Sequence, residues 1–346
     1  MSKKCSRVFS MVCALLVMTT LGFAQGTLTP PGAPAPTMKT LAQIEPRTPI
    51  SAATTPGDTF TLYIINQPGS YYFTTNIVGV ANKSGIFIQT GNVTIDLNGF
   101  TLQGVLNSFT GIYVAGPYTN IVIHNGTVSG WGDIGLDAYN AGPVHNVIIE
   151  HLTASANASH GIAADNGSEI RHCSAYKNGN SGIVCYGGLV ADCVSDANTL
   201  EGILGQNCIV QNCRTKGNAA NGISVYPGMV SDCLSIENGF SGIFVNAPGS
   251  KIIRNTCYSN NTLNHSQNGG ITINDSSSRI EDNVVTANTR AGIRVLANYT
   301  NNLVIKNNVT GNGTNNYILS TNQVVGPLIS TTGTITNSNP WANFSY

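Results

Sequence analysis

Cysteine recurs every twenty residues in the middle of this chain, at Cys173, Cys193, Cys213 and Cys233. An asparagine follows each of these cysteines after five residues, and a Gly-Ile pair follows after nine. A chain that returns each residue type to the same position at a fixed period stacks one coil of backbone on the next. This period therefore constrains the possible folds more than any other feature of the sequence.

The repeat extends beyond the cysteines as a step of glycine followed by isoleucine or leucine. Apolar residues alternate after each step, which predicts strands, and twenty residues are too few for strands together with a helix. The leucine columns of a leucine-rich repeat are absent. We therefore predict an all-β fold, a right-handed parallel β-helix of nine or ten coils with a cap at each end. The steps begin at Gly85, Gly111, Gly135, Gly161, Gly182, Gly202, Gly222, Gly242, Gly270 and Gly292.

The ends of the chain differ in composition from the repeats. Residues 1–24 have a basic start, with Lys3, Lys4 and Arg7, and then an apolar stretch, which predicts a secretory signal peptide. Residues 25–57 are rich in Pro, Ala and Thr and are predicted to form a linker, the second half of which can pack on the domain. Residues 58–346 form the single predicted domain, with an N-terminal cap at 58–80 and a C-terminal cap at 312–346.

Charge and hydropathy exclude two classes of protein. Without the signal peptide the chain keeps 13 of its 16 Lys and Arg against 16 Asp and Glu, a net charge of −3, so a nucleic-acid-binding protein is not expected. No segment after the signal peptide is long and apolar enough to anchor the chain in a membrane. We expect an exported bacterial protein, located in the periplasm, at the cell surface or outside the cell.

Seven cysteines remain in the mature chain, an odd number that leaves at least one thiol free unless chains are cross-linked. Residues in register on adjacent coils lie about 4.8 Å apart, but parallel side chains give poor geometry for a disulfide. We favour a stack of buried thiols over disulfide bridges.

Two polar columns accompany the cysteines. The first is a column of asparagines in one turn, predicted to stabilise the stack through amide hydrogen bonds: Asn157, Asn178, Asn198, Asn218, Asn238, Asn261 and Asn288. The second lies just before the cysteine register: Asn98, Asn125, His151, His172, Asp192, Asn212, Asp232, Asn255, Asp282 and Asn307. His151, His172 and Asp192 could face a transition metal, but the outer two would be about 9.6 Å apart, too far for one ion. We interpret this column as a solvated strand edge and predict no metal site.

The segment IDLNGFTLQG at 95–104 and the serial NGI and SGI steps resemble the pectate-lyase-like right-handed β-helix repeat family. The whole chain resembles exported β-helix repeat proteins of environmental bacteria, whose biochemical role is generally unassigned. The resemblance implies the fold and does not specify the function. Enzymes of this superfamily act on polysaccharides in a groove over a sheet face, which makes the outward positions of each strand the candidates for a site.

The residues three positions after the isoleucine or leucine of each glycine step are predicted to point outward. Together they form a column that contains aromatic rings and amides. Aromatic rings stack on the C–H faces of sugars, and amides bind hydroxyl groups. We predict a glycan-binding strip made of Tyr139, Tyr186, Gln206, Tyr226 and Asn246. The alternative is that tyrosine is simply a favourable strand residue on an exposed face.

Two carboxylates on neighbouring coils are the candidates for catalysis. Asp137 and Asp165 have an expected Cα separation of about 8 Å, which suits an inverting glycoside hydrolase. His160, which precedes the glycine step of the Asp165 coil, could assist them, as could Glu201. The alternative is that both aspartates are merely solvated.

The motifs of the known enzymes are missing. Polygalacturonase-like members would show NTD, DD, GHG and RIK, whereas this chain has HGI at His160 and RIE at Arg279. A pectate-lyase-like Ca²⁺ site needs clustered acids near an outward base, and Arg294 is five or more coils away from Asp137 and Asp165. We therefore expect no cofactor, and Ca²⁺ has no support. The leading hypothesis is an exported protein that binds glycans or serves as a cell-surface or extracellular structural component, with a polysaccharide-active hydrolase or lyase as the alternative.

Overall fold

The structure, a computed structural model, describes residues 45–114, 116–139, 145–330 and 333–346. Arg47–Tyr346 form one compact unit made of parallel strands. Twelve of these strands form one sheet, each paired in parallel with the strand of the next coil. They are Thr61–Ile65, Ser84–Ile88, Ile112–Val114, Leu136–Ala138, Ile162–Ala164, Ile183–Tyr186, Ile203–Gln206, Ile223–Val225, Ile243–Val245, Gly269–Ile273, Ala291–Val295 and Tyr317–Ile318.

The other strands form a second sheet that bends at a corner, so that each coil has three sides. Two long strands, Thr119–Ser129 and His145–Ser155, run through this corner and join the two halves. The remaining strands are Thr48–Pro49, Gly69–Tyr72, Ile77–Val78, Val93–Asp96, Thr101–Gln103, Glu169–Arg171, Ser174–Tyr176, Leu189–Ala191, Val194–Asp196, Cys208–Gln211, Arg214–Lys216, Gly228–Ser231, Leu234–Ile236, Lys251–Ile253, Thr256–Tyr258, Arg279–Glu281, Val284–Thr286, Leu303–Ile305, Asn308–Thr310, Val324–Val325, Leu328–Ile329 and Asn343–Ser345.

The predicted all-β parallel β-helix is confirmed, with about twelve turns rather than nine or ten. The sequence count missed the two ends, because neither Thr61–Ile65 nor Tyr317–Ile318 carries a glycine step, yet both pair in parallel with the next strand of the sheet. Thr61–Ile65 belongs to the predicted N-terminal cap, and so the capping segment is itself the first coil of the stack.

Stacked isoleucine and valine side chains fill the bore. Ile112, Leu136 and Ile162 follow one another in register and are fully buried, as are their counterparts on later coils. The glycine before each of these residues permits close stacking: a Cβ at Gly111 would lie 2.4 Å from the carbonyl oxygen of Gly135 on the next coil. The Gly-Ile step is thus explained by packing between coils.

From Asn125 onward each coil has two left-handed residues five positions apart, the first at the bend of the second sheet and the second at the corner where this sheet ends. The first corner has φ between 51° and 64° at Asn98, Asn125, His151, His172, Asp192, Asn212, Asp232, Arg254, Asp282 and Lys306. Asn, Asp and His tolerate this conformation better than most residues, which accounts for the polar column by backbone geometry alone. The sequence alignment wrongly placed Asn255 and Asn307 in this column, where the structure has Arg254 and Lys306.

The asparagine column is a buried ladder of amides at the second corner. Each Nδ2 donates to the Oδ1 of the next coil, at 2.9 Å between Asn198 and Asn218 and at 2.9 Å between Asn218 and Asn238. The ladder then passes through Asn260 and not through the predicted Asn261. Asn261 instead holds the long loop, accepting from the backbone N–H of His265 and donating to the carbonyl oxygens of His265 and Asn268.

The cysteine column is the first half of a second ladder, at the first corner. The backbone N–H groups of Cys173 and Cys213 each donate to the Sγ of the cysteine on the next coil, both at 3.4 Å. From Cys233 onward the acceptors are amide oxygens, of Asn255, Asn283, Asn307 and Asn343 in succession. All seven cysteines of the described chain are free and buried, so the thiol acts here as a small apolar residue and weak acceptor.

The two ends of the unit are covered by short irregular segments. Thr48–Pro49 pairs with Gly69–Tyr72, and Ile50 joins the core, so the predicted linker packs on the first coil from Arg47 onward. At the other end Asn343–Ser345 folds back and pairs with Asn308–Thr310. The predicted signal peptide lies outside the described residues, and no helix long and apolar enough to span a bilayer is present among those described.

Candidate functional site

The outer face of the twelve-stranded sheet carries the two columns from which a site was predicted. The first column consists of the residue directly after the isoleucine or leucine of each glycine step. Its side chains point away from the bore but are largely buried. Asp137, Val184 and Ser224 are at most 3% exposed. The segment that returns from the asparagine corner to the sheet covers this column, as the hydrogen bond of 3.2 Å from Asn221 Nδ2 to the Ser224 hydroxyl illustrates. Most of this column is therefore unavailable to a large ligand.

The farther column lies along the rim of the sheet and contains the predicted binding strip. Tyr186 pairs with Gln206, and Tyr226 and Asn246 follow on the next two coils, each donating its backbone N–H to the preceding strand. Gln206 and Asn246 are exposed, and the two tyrosines are half-buried. The structure thus brings these four side chains into one row, as the two-residue alternation indicated.

A depression of about 280 Å³ opens on this row. It is lined by Tyr186, Glu201, Leu204, Gln206 and Tyr226. Two aromatic rings, a carboxylate, an amide and an apolar side chain therefore face one small volume. These are the groups from which sugar-binding and other polar ligand sites are assembled.

Glu201 lies one position before its glycine step, in the segment that covers the sheet. The Ser181 hydroxyl of the preceding coil donates to its Oε2 at 3.1 Å. Burial, followed by the charge of Glu201, raises the pKa of the Tyr226 hydroxyl. The sequence analysis considered Glu201 only as a residue that could assist catalysis. It did not predict that Glu201 lies beside the tyrosines, because the segment that carries Glu201 was not expected to cover this face of the sheet.

Tyr139 is placed differently from the other two tyrosines of the strip. Its ring stacks on Tyr186 with centroids 4.4 Å apart and planes at 12°. The two residues are two coils apart, so their side chains converge over the intervening coil of Asp165. One face of each ring is consumed by this stack, so Tyr139 supports Tyr186 and does not line the depression.

Each of the two aspartates proposed for catalysis accepts a hydrogen bond close to the end of its own strand. Asp137 is buried, and its Oδ1 accepts the backbone N–H of Tyr139 at 3.0 Å. Asp165 follows the end of its strand, where Oδ1 accepts from the backbone N–H and the side-chain amide of Asn166. The charge of Asp137 acts instead on His160 and on Tyr113.

His160 lies among acidic residues. Burial lowers the pKa of its imidazole, and hydrogen bonding to Ser181 together with the charges of Asp137, Asp133 and Glu201 opposes this effect. Its Nδ1 is buried and, within the described part of the chain, has no hydrogen-bond partner. A neutral imidazole beside carboxylates has the proton-accepting atom that a general base requires.

The histidines of the first corner form a stacked pair. The rings of His151 and His172 stack with centroids 5.0 Å apart. Across residues 45–114, 116–139, 145–330 and 333–346, no group of three or more His, Cys, Asp or Glu is arranged to hold a metal ion.

Comparison with known proteins agrees with this architecture. The family described as the right handed beta helix region matches residues 63–206. The chain thus has a right-handed parallel β-helix fold, and the predicted resemblance to the pectate-lyase-like β-helix repeat proteins is confirmed as a likeness of fold. A search of curated proteins gave no match.

Several solved structures share the fold at low sequence identity. The A-module of mannuronan C-5 epimerase AlgE4 from Azotobacter vinelandii is 17% identical with a TM-score of 0.50, over 80% of this chain and 90% of that one. The periplasmic alginate epimerase AlgG is 12% identical with a TM-score of 0.52, over 86% of this chain and 80% of that one. Pectate lyase Pel9A is 14% identical with a TM-score of 0.39, over 62% of this chain and 68% of that one.

Proposed function

We propose that this chain is an exported β-helix protein that binds a glycan on the rim of its twelve-stranded sheet. The observation that carries this proposal is the depression in which Tyr186 and Tyr226 face the same volume as Glu201 and Gln206. A sugar ring has an apolar C–H face and a hydroxyl edge, and this lining offers a partner to each. Asn246, one coil beyond Tyr226, extends the row toward a further sugar unit.

Two further facts support the proposal. Neighbours of the same fold are named for polysaccharides, as a mannuronan epimerase and an alginate epimerase, and one of them is described as periplasmic. Residues 1–24 have the composition of a secretory signal peptide, which would deliver the chain to a compartment where such polymers occur. A purely structural role would share the fold and the export but would require no saccharide binding.

The first prediction concerns the two tyrosines. Tyr186→Ala combined with Tyr226→Ala should weaken saccharide binding at least about tenfold, because each lost ring face is worth roughly 1 kcal/mol. Binding is measured by glycan array and then by calorimetry with the best saccharide. The matched control is Tyr176→Ala combined with Tyr258→Ala, which removes two exposed rings from the second sheet and should leave the affinity unchanged. Absence of saccharide binding by the unaltered protein would refute the proposed function.

A polysaccharide-active enzyme is the second candidate. The observation that favours it is the buried Nδ1 of His160, which has no hydrogen-bond partner among the described residues, together with the charge of Asp137 that acts on this imidazole. In such an enzyme the His160 imidazole would accept a proton, and Asp137 would hold the resulting imidazolium. The release of reducing or unsaturated ends from a polysaccharide would establish this activity.

The second prediction tests that candidate. If the chain releases such ends, His160→Ala should reduce the rate at least about a hundredfold, because general base catalysis contributes this much. Asp165→Asn should have little effect, since the Asp165 carboxylate is engaged at the end of its own strand. Equal loss of activity in both variants would support catalysis by Asp137 and Asp165 as first predicted. If no polysaccharide releases such ends, the hypothesis of a polysaccharide-active enzyme is wrong.

A further inference from the structure

We infer that the depression at Tyr186 and Tyr226 selects its sugar by charge, preferring amino sugars over neutral sugars and rejecting uronic acids. This inference rests on the proposed glycan binding and adds to it the chemical class of the ligand. The observations that carry it are the distribution of charged side chains around the depression and the pairing of a carboxylate with two aromatic rings.

Four carboxylates lie on this face, on the coils of the depression or on the two coils before them. Glu201 lines it directly, between the two tyrosines. Asp165 lies on the coil before Tyr186, and its charge contributes to the raised pKa of the Tyr186 hydroxyl, after burial and the contact with Tyr139. Asp133 and Asp137 lie on an earlier coil, and their charges act on His160. The electrostatic potential of this face is therefore negative wherever these groups are ionised.

On this face of the same coils, cations are missing. The stretches that form this face, residues 133–139, 158–166, 179–188, 199–208 and 219–228, contain no lysine or arginine. Along the outward columns the first basic side chain is Arg294, four coils beyond Gln206 and hence about 19 Å away. This distance exceeds the Debye length of about 8 Å at physiological salt. The Arg294 guanidinium also donates to the Ser266 carbonyl oxygen and to Gln267 Oε1.

A uronic acid would therefore find no cationic partner for its carboxylate on this face and would be repelled by Glu201. An ammonium group, by contrast, would meet the Glu201 carboxylate and the faces of tyrosine rings, which attract cations through their quadrupole. The Ser181 hydroxyl fixes Glu201 in place by donating to Oε2, so the carboxylate is oriented before the ligand arrives. A neutral sugar can make the hydroxyl and C–H contacts but has no charge. Its affinity is therefore expected to lie between those of an amino sugar and a uronic acid.

The experiment compares three oligosaccharides of equal length by calorimetry at about pH 5.5, where carboxylates with an ordinary pKa are ionised. They are the tetramers of glucosamine, of N-acetylglucosamine and of galacturonic acid. We expect the glucosamine tetramer to bind at least about tenfold more tightly than the galacturonate tetramer, with the acetylated tetramer between them. Raising the salt from about 20 mM to about 200 mM should narrow the difference.

Glu201→Gln keeps the shape of the side chain and its contact with Ser181 but removes the charge. It should weaken binding of the glucosamine tetramer at least about fivefold and leave the acetylated tetramer within about twofold. Glu237→Gln is the matched control, because Glu237 lies at the second corner, directly after Leu234–Ile236, in a pair with Lys216, and it should change neither affinity. The charge selection would be overturned if the galacturonate tetramer bound as tightly as the glucosamine tetramer or more tightly. It would also be overturned if Glu201→Gln weakened the glucosamine and N-acetylglucosamine tetramers equally. Either result would leave glycan binding intact. Failure to bind any saccharide would refute the proposed function itself.

Discussion

Replacing Trp131 with alanine should lower the free energy of unfolding by about 3 to 5 kcal/mol, the range for losing a fully buried large aromatic side chain. Trp131 is 1% exposed, and its indole Nε1–H donates to the carbonyl oxygen of Leu102 at 3.1 Å. The ring lies against Gly85 and Gly111, where Cβ atoms would come within 3 Å of it. Its backbone N–H also donates to Asn157, the first amide of the ladder. The substitution therefore leaves a cavity that spans several coils.

Urea denaturation followed by circular dichroism measures this effect. Trp341→Ala is the matched control, since the Trp341 ring is half exposed and contacts Lys306, and it should cost at most about 1 kcal/mol. Trp131→Phe should fall between the two, because it keeps most of the buried ring and loses the indole hydrogen bond. Equal midpoints for Trp131→Ala and Trp341→Ala would show that Trp131 does not hold the first coils together.

The second large effect is expected at the buried amide ladder. Asn218→Ala should destabilise the protein by about 2 to 3 kcal/mol, because buried groups left without partners cost more than a hydrogen bond contributes. Asn218 Oδ1 accepts from the backbone N–H and the Nδ2 of Asn198, and Asn218 Nδ2 donates to Asn238 and to the Ser195 carbonyl oxygen. The residue is 1% exposed, so these bonds are shielded from bulk water.

An exposed ladder in the same protein provides the control. Asn120 Nδ2 donates to Asn92 at 2.9 Å, and Asn146 Nδ2 donates to Asn120 at 2.7 Å, both at the surface. Asn120→Gly removes this amide without straining the backbone, which is left-handed there with φ of 58°, and should change stability by less than about 0.5 kcal/mol. The same denaturation experiment compares both variants, and a cost at Asn120 equal to that at Asn218 would mean that burial does not set the strength of the ladder.

The fold could be predicted from the sequence because the residues that repeat in the sequence are those that pack one coil on the next. Each glycine step allows two coils to approach, and each following isoleucine fills the bore, so the physical cause repeats in the sequence itself. The two coils missed in the count lack this step. Thr61–Ile65 and Tyr317–Ile318 begin and end the stack, and each pairs with a neighbouring strand of its sheet on one side only.

The alignment of individual columns failed where coil length changes. Asn260 and Asn261 are identical in type, and only hydrogen bonding distinguishes the ladder member from the residue that holds the loop. Asn255 was assigned to the polar corner column because it is polar, whereas it faces inward and continues the cysteine column. A side chain's direction at a left-handed corner does not follow from its polarity.

The candidate site was predicted in part, and for the same reason. Alternation within a strand placed Tyr186, Gln206 and Tyr226 in one row, since side chains two residues apart share a face. Alternation carries no information about what covers that face. The burial of Asp137 and the position of Glu201 both depend on the covering segment, and the stacking of Tyr139 on Tyr186 depends on side-chain rotation.

The constant spacing of the two corners has a consequence for how such a chain can change. The five residues from one left-handed corner to the next are kept in every coil from His151 to Gly311, and the ladders pin both ends. Coil length nevertheless varies from 20 to 28 residues, and the longest coil gains its extra length in the segments on either side of the twelve-stranded sheet, notably after Asn260. Insertions and deletions are thus accommodated in the segments that flank the twelve-stranded sheet, next to the face that bears the depression. A β-helix of this kind can acquire a new ligand by lengthening one flanking segment while its core stays unaltered.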